Sequence, residues 1–172
     1  MSHRRASGLL SAVARVKRTF AVVWLAFMAG GALLHAEPPK EAIKWALGQI
    51  ETGASLEGPS PADKARGKNR EVSRYQILPQ IWARYAGPED FTNPVHAWSI
   101  AQRILDDRRQ WFQRLAGRLP DPFDLYVLWN APGHYIGVGF EPGRVHAQIA
   151  DRAERFASLV AVYGDGDLRA QN

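Results

Sequence analysis

The chain has 172 residues, 46% hydrophobic and 23% charged, a balance that fits one globular domain plus an extra segment and excludes disorder throughout. It has no cysteine, which removes a disulfide framework, a thiolate metal centre, a thiol nucleophile and a lipid-modified cysteine. Its formal charge of +5 belongs to one end: residues 1–36 hold five of the 22 basic residues and no acid, leaving 17 of each sign elsewhere, so charge gives no argument for a nucleic-acid partner.

That first segment carries Arg4, Arg5, Arg15, Lys17 and Arg18, then an apolar run from Phe20 to Leu34, then Leu34-His35-Ala36 before Glu37. It reads as a signal peptide over residues 1–36, cleaved after Ala36, and the run is shorter than the about 20 residues a helix needs to cross a bilayer. An uncleaved anchor is the alternative and would be the chain's only link to a membrane. Residues 37–172 then form a single domain, exported to the periplasm or the cell exterior.

Pro38-Pro39 precedes a helix over Lys40–Glu51, where Ala42, Ile43, Trp45, Ala46, Leu47 and Ile50 make one apolar stripe. Residues 52–70, broken by Gly53, Gly58, Pro59, Pro61 and Gly67, predict a long solvated loop, a class of segment that tends to border a functional cleft. Val72–Leu78 leads to Pro79, which opens a helix ending before Gly87-Pro88. Thr92 is placed as the cap and Pro94 as the opening of a long helix closed by Gly117. Asp121-Pro122 starts an almost wholly apolar and therefore buried helix, ended by Pro132-Gly133. A Gly-rich connection over Gly133–Gly143 follows. The stripe Val145, Ile149, Ala153, Phe156, Val160, Tyr163 predicts a last helix closed by Gly164, with a loose tail beyond. No period-two alternation is long enough for a sheet, so the fold class is mainly α.

Glu51 closes the first helix directly before the loop. It is either a surface acid or a partly buried carboxyl, and burial would raise its pKa and keep it protonated as a proton donor. Gln76, in Arg74-Tyr75-Gln76-Ile77, has an amide that both donates and accepts, as sugar recognition requires, or it serves backbone groups in a turn. Asn130, after Trp129, either caps its helix or faces a ligand at the small-residue turn Ala131-Pro132-Gly133. His96, His134 and His146 lie singly on separate segments, so neither a metal nor a cofactor is expected.

In this order the three elements resemble the soluble lytic transglycosylase type of the lysozyme-like superfamily. Ile50-Glu51-Thr52-Gly53 resembles that family's hydrophobic-Glu-Ser-Gly start. Tyr75-Gln76-Ile77-Leu78-Pro79 resembles its Met-Gln-Ile-Met-Pro segment, and Trp129-Asn130-Ala131-Pro132-Gly133 its Tyr-Asn-Ala-Gly turn. The resemblance spans about residues 40–163 and implies a lysozyme-like helical domain, with a long loop or small irregular lobe bordering a glycan cleft. It implies Glu51 as the catalytic acid and base, and Tyr75, Gln76, Trp129 and Asn130 as substrate-binding residues.

The partner so implied is a peptidoglycan glycan strand. Its bond between N-acetylmuramic acid and N-acetylglucosamine would be cut with formation of a 1,6-anhydro end. Three departures stand out: the loop has no Ser-x-x-Gly-Ala stretch, Tyr75 replaces a Met, and Trp129 replaces a tyrosine that partners the acid in the family pattern. Tyr126 or Tyr135 is left to supply that hydroxyl. Glu71 is the candidate for a second carboxylate, which would favour hydrolysis of the lysozyme kind; otherwise it is a solvated loop charge. A glycan-binding protein without turnover, or a membrane-anchored structural protein, are the remaining alternatives.

Overall fold

Proline openings and left-handed glycine or capped ends punctuate the chain in the computed structural model, which describes residues 38–55 and 58–170. The expected signal peptide lies outside these residues. Helix α1 runs Lys40–Thr52 and buries Ala42, Ile43, Ala46 and Leu47. Gly53, at φ 67°, ends it, and the N–H groups of Gly53 and Ala54 satisfy the carbonyls of Gln49 and Gly48. Glu51 therefore sits in the last turn. Thr52, one residue beyond the expected end, donates its hydroxyl to the Arg74 carbonyl at 2.9 Å and ties this turn to the loop.

The long loop is less irregular than its composition suggests. A 3₁₀ turn over Pro61–Lys64 is held at its start by the Asp63 carboxylate, which accepts from the Ser60 N–H at 2.7 Å. Asp63 is buried against Arg74, whose Nη2 donates to Asp63 Oδ2 at 2.9 Å and to the Gly58 carbonyl at 2.8 Å. Val72 and Ile77 then exchange both backbone hydrogen bonds, at 2.8 and 2.9 Å, around a turn in which Ser73 and Gln76 take positive φ.

Helix α2 spans Pro79–Tyr85 and α3 spans Pro94–Ala116. The cap of α3 is Asn93 rather than Thr92: its side chain accepts from the N–H groups of Val95 and His96, while Thr92 bonds the Asp90 carboxylate. Pro94 at the first helical position makes its immediate predecessor the cap. Helix α4, Pro122–Asn130, is capped by Asp121 and buries the apolar run Leu125–Trp129 together with Asp124, which Arg118 and Tyr135 satisfy.

Two expected boundaries are corrected. The connection after α4 contains a short helix α5, Pro132–Gly137, because Pro132 opens a turn rather than ending one. Helix α6 runs Ala147–Ala170, straight through Gly164. A helical glycine costs only about 1 kcal/mol, and this one lies against Pro39 at the start of α1.

Helix α6 packs along both α1 and α4, and α3 covers another side of α4. The described residues are thus mainly helical, with an isolated bridge and no strand. None of their helices is long and apolar enough to cross a membrane. The packing of α1, α4 and α6 brings Glu51, Tyr126 and Arg152 together.

Candidate functional site

The Glu51 side chain is only 8% exposed. Its Oε1 accepts from the Tyr126 hydroxyl at 2.9 Å and its Oε2 from Arg152 Nη2 at 3.1 Å. Arg152 closes the triangle, donating through Nε to the Tyr126 oxygen at 2.6 Å and through Nη2 to the Ile50 carbonyl at 3.2 Å. Three helices thus fix one carboxyl, and of the two tyrosines considered from sequence it is Tyr126 whose hydroxyl bonds Glu51. Tyr135 is buried elsewhere, bonded to Asp124.

Glu51 lines a cleft of about 480 Å³. Burial is the largest influence on its carboxyl and raises the pKa; Arg152 and the bonds from Tyr126 and Arg152 oppose it, and the charge of Glu71 adds to the rise. The outcome is a carboxyl held above its ordinary value. This is the condition for an acid that keeps its proton closer to neutral pH.

The opposite wall comes from the loop. Gln76, half-buried and with a positive φ of 50°, lines the cleft, with Nε2 donating to the Ser73 carbonyl at 3.2 Å. Glu71 lines the same cleft and accepts from the backbone N–H and side-chain amide of Asn69 at 2.8 and 2.9 Å. Its small burial raises its pKa, but its hydrogen bonds outweigh this and hold it below the ordinary carboxylate value. Gly67 completes this wall, and a side chain there would collide with the Glu71 carboxylate and the Gln76 amide oxygen.

Trp129 and Asn130 also line the cleft, at the C-terminal end of α4. Trp129 is 8% exposed, with the Arg108 guanidinium 5.4 Å from its ring centroid. Asn130 is exposed, and its side chain makes no hydrogen bond to the described residues. Of the five expected site residues, the structure therefore brings Glu51, Gln76, Trp129 and Asn130 to one cavity.

Tyr75 is the correction. It is fully buried and does not line the cleft; its ring packs 5.7 Å from that of Trp98. Ser73, Arg74 and Tyr75 are all buried in the turn, whereas the next residue, Gln76, is half-buried and lines the cleft. Arg152, Arg108 and Gly67 are among the cleft residues that sequence reading missed. Comparison of the chain with family models, with curated proteins and with solved structures finds no match.

Removing the Tyr126 hydroxyl tests the triangle. Tyr126→Phe takes away a bond that favours the Glu51 carboxylate, so the Glu51 pKa is expected to rise further. The expected reading is an upward shift of the Glu51 carboxyl titration, followed by NMR; an unchanged titration would mean that the hydroxyl does not act on Glu51.

Proposed function

We propose that this chain is an exported, periplasmic or secreted enzyme that cleaves the β-1,4 bond between N-acetylmuramic acid and N-acetylglucosamine in peptidoglycan. The observation that carries this reading is the buried, pKa-raised Glu51 in a cleft shared with Gln76, Trp129 and Asn130. The order of these residues along the chain supports a lysozyme-like domain of the lytic transglycosylase type, and the basic and apolar leader pattern supports export.

In this mechanism protonated Glu51 donates to the bridge oxygen as the glycosidic bond breaks, so the leaving N-acetylglucosamine departs as an alcohol. The resulting carboxylate then takes the proton of the muramyl 6-hydroxyl as that oxygen bonds to the anomeric carbon. A 1,6-anhydro ring forms and Glu51 regains its proton. The nucleophile belongs to the substrate and is already close to the reacting carbon, so a second carboxylate is not required. Gln76 and Asn130 offer amides to hydroxyl or acetamido groups, and Arg152 and Tyr126 steady the carboxylate between the two proton transfers.

One observation favours a second reading. Glu71 shares the cleft, its charge is felt by Glu51, and the two carboxyls are pushed in opposite directions. A protonated acid beside an ionised partner is also the arrangement for water-using hydrolysis. Mass spectrometry of fragments from purified peptidoglycan separates the two. The expected fragments end in anhydro sugars, lighter by one water than the reducing ends that hydrolysis would leave; reducing ends would transfer the reading to hydrolysis with Glu71 in the second role.

A further inference from the structure

We infer that Arg108 forms a carboxylate-binding subsite in the Glu51 cleft, selecting glycans whose sugars carry an acidic substituent; this rests on the glycan-cleaving reading above. Arg108 projects from α3 to the end of α4, where Nη1 donates to the carbonyls of Leu128 and Trp129 at 2.8 and 2.7 Å. These bonds anchor the guanidinium and leave its other N–H groups without a partner among the described residues. It lines the cleft beside Trp129 and Asn130.

The combination of partial burial and no carboxylate partner marks this arginine. Arg74 is paired with Asp63, Arg118 with Asp124 and Arg152 with Glu51. No acid among the described residues pairs with Arg108, and its half-buried setting, against the Trp129 face, disfavours the charge. Two neutral carbonyls do not neutralise a cation, and holding one away from water without a counter-charge is costly unless an anion arrives. A guanidinium anchored through one nitrogen keeps further donors in a fixed fork suited to a carboxylate. N-acetylglucosamine carries no charge, whereas a muramyl sugar carries its lactyl carboxylate or, through an amide, the carboxylates of a stem peptide.

The test is binding, so turnover does not enter. Calorimetry on the full exported chain carrying Glu51→Gln would compare three probes: chitotetraose, a muramyl-containing tetrasaccharide with free lactyl carboxylates, and the same sugar with stem peptides. Tighter binding of an acidic sugar over chitotetraose, about tenfold or more for a charge-assisted bond, is expected to fall with added salt. It is also expected to vanish in Arg108→Gln with chitotetraose affinity kept, and to persist in part in Arg108→Lys. Whichever acidic sugar shows the preference identifies the carboxylate's source.

Equal affinity for all three sugars, or a preference that survives Arg108→Gln, overturns the subsite while leaving glycan binding intact. Failure to bind any of them overturns both the subsite and the glycan reading. Should Arg108→Gln not fold, the sugar comparison, its salt dependence and Arg108→Lys still decide.

Discussion

Glu51→Gln is expected to lower kcat for peptidoglycan cleavage on the order of 10³-fold while leaving KM within a few-fold, because general acid catalysis by a positioned group contributes about 10² to 10⁴. Glutamine has nearly the same shape, and its amide oxygen can still accept from Tyr126 or Arg152, so the cleft keeps its form. It has no proton to give to a bridge oxygen. Because the wild-type carboxyl is raised in the folded state, the folded chain binds more protons than the unfolded chain just above the ordinary glutamate pKa. Stability contributed by Glu51 is therefore present below that value and lost as pH rises through the folded pKa. The variant should accordingly melt higher than wild type at neutral pH, with the gain shrinking in acid. Digestion of purified peptidoglycan with weighed products reads the first effect, and thermal melts across pH read the second. Cleavage by the variant at the wild-type rate would remove Glu51 from the mechanism.

The residues that sequence reading found and missed divide along physical lines. The stripe of Ala42, Ile43, Ala46 and Leu47 has the helical period, and Gly53 follows it, so the position of Glu51 in a terminal turn was legible. Helix α4 is buried all round, and a helix without a polar face gives no periodicity from which to tell that Tyr126 faces Glu51. Tyr135, the competing candidate, lies on α5 and meets a different buried acid, Asp124. Arg152 lies 101 residues from Glu51 and bonds it only because α6 packs beside α1, a long-range relation with no local signature. Arg108 stands in a charged run with Asp106, Asp107 and Arg109 that reads as a solvated helix face. Tyr75 enters the expected site only through the resemblance of Tyr75-Gln76-Ile77-Leu78-Pro79 to a family segment, and the positive φ of Ser73 and Gln76, which shapes the turn that buries it, is not visible in composition. The pairing of Asp63 with Arg74, 11 residues apart, likewise has no local signature in the sequence.

That pair yields the largest expected change in stability. Asp63→Ala should destabilise the fold by about 3–5 kcal/mol, the usual consequence of removing one partner from a buried ion pair, whereas an exposed pair such as Arg103–Glu89 is worth about 0–1 kcal/mol. The Asp63 and Arg74 side chains are each 3% exposed, so the orphaned guanidinium would keep the cost of its burial and lose the compensation. At roughly 4 °C per kcal/mol for a domain of this size, the melting temperature should fall by about 10–20 °C. The carboxylate also accepts from the Ser60 N–H, so the loop end should loosen and KM should rise as Gly67, Glu71 and Gln76 lose their register. Burial works to raise the Asp63 pKa, but the Arg74 bond and the Ser60 N–H prevail and hold it below the ordinary aspartate value. Its stabilisation is thus present above the unfolded pKa and is lost as pH falls through the folded one, so wild type and variant should converge in strong acid. Replacing both partners, Asp63→Leu with Arg74→Met, should recover much of the lost stability, because no unpaired charge then remains inside. A loss below 1 kcal/mol for Asp63→Ala would show that the loop, and with it the cleft wall, is held by something other than this pair.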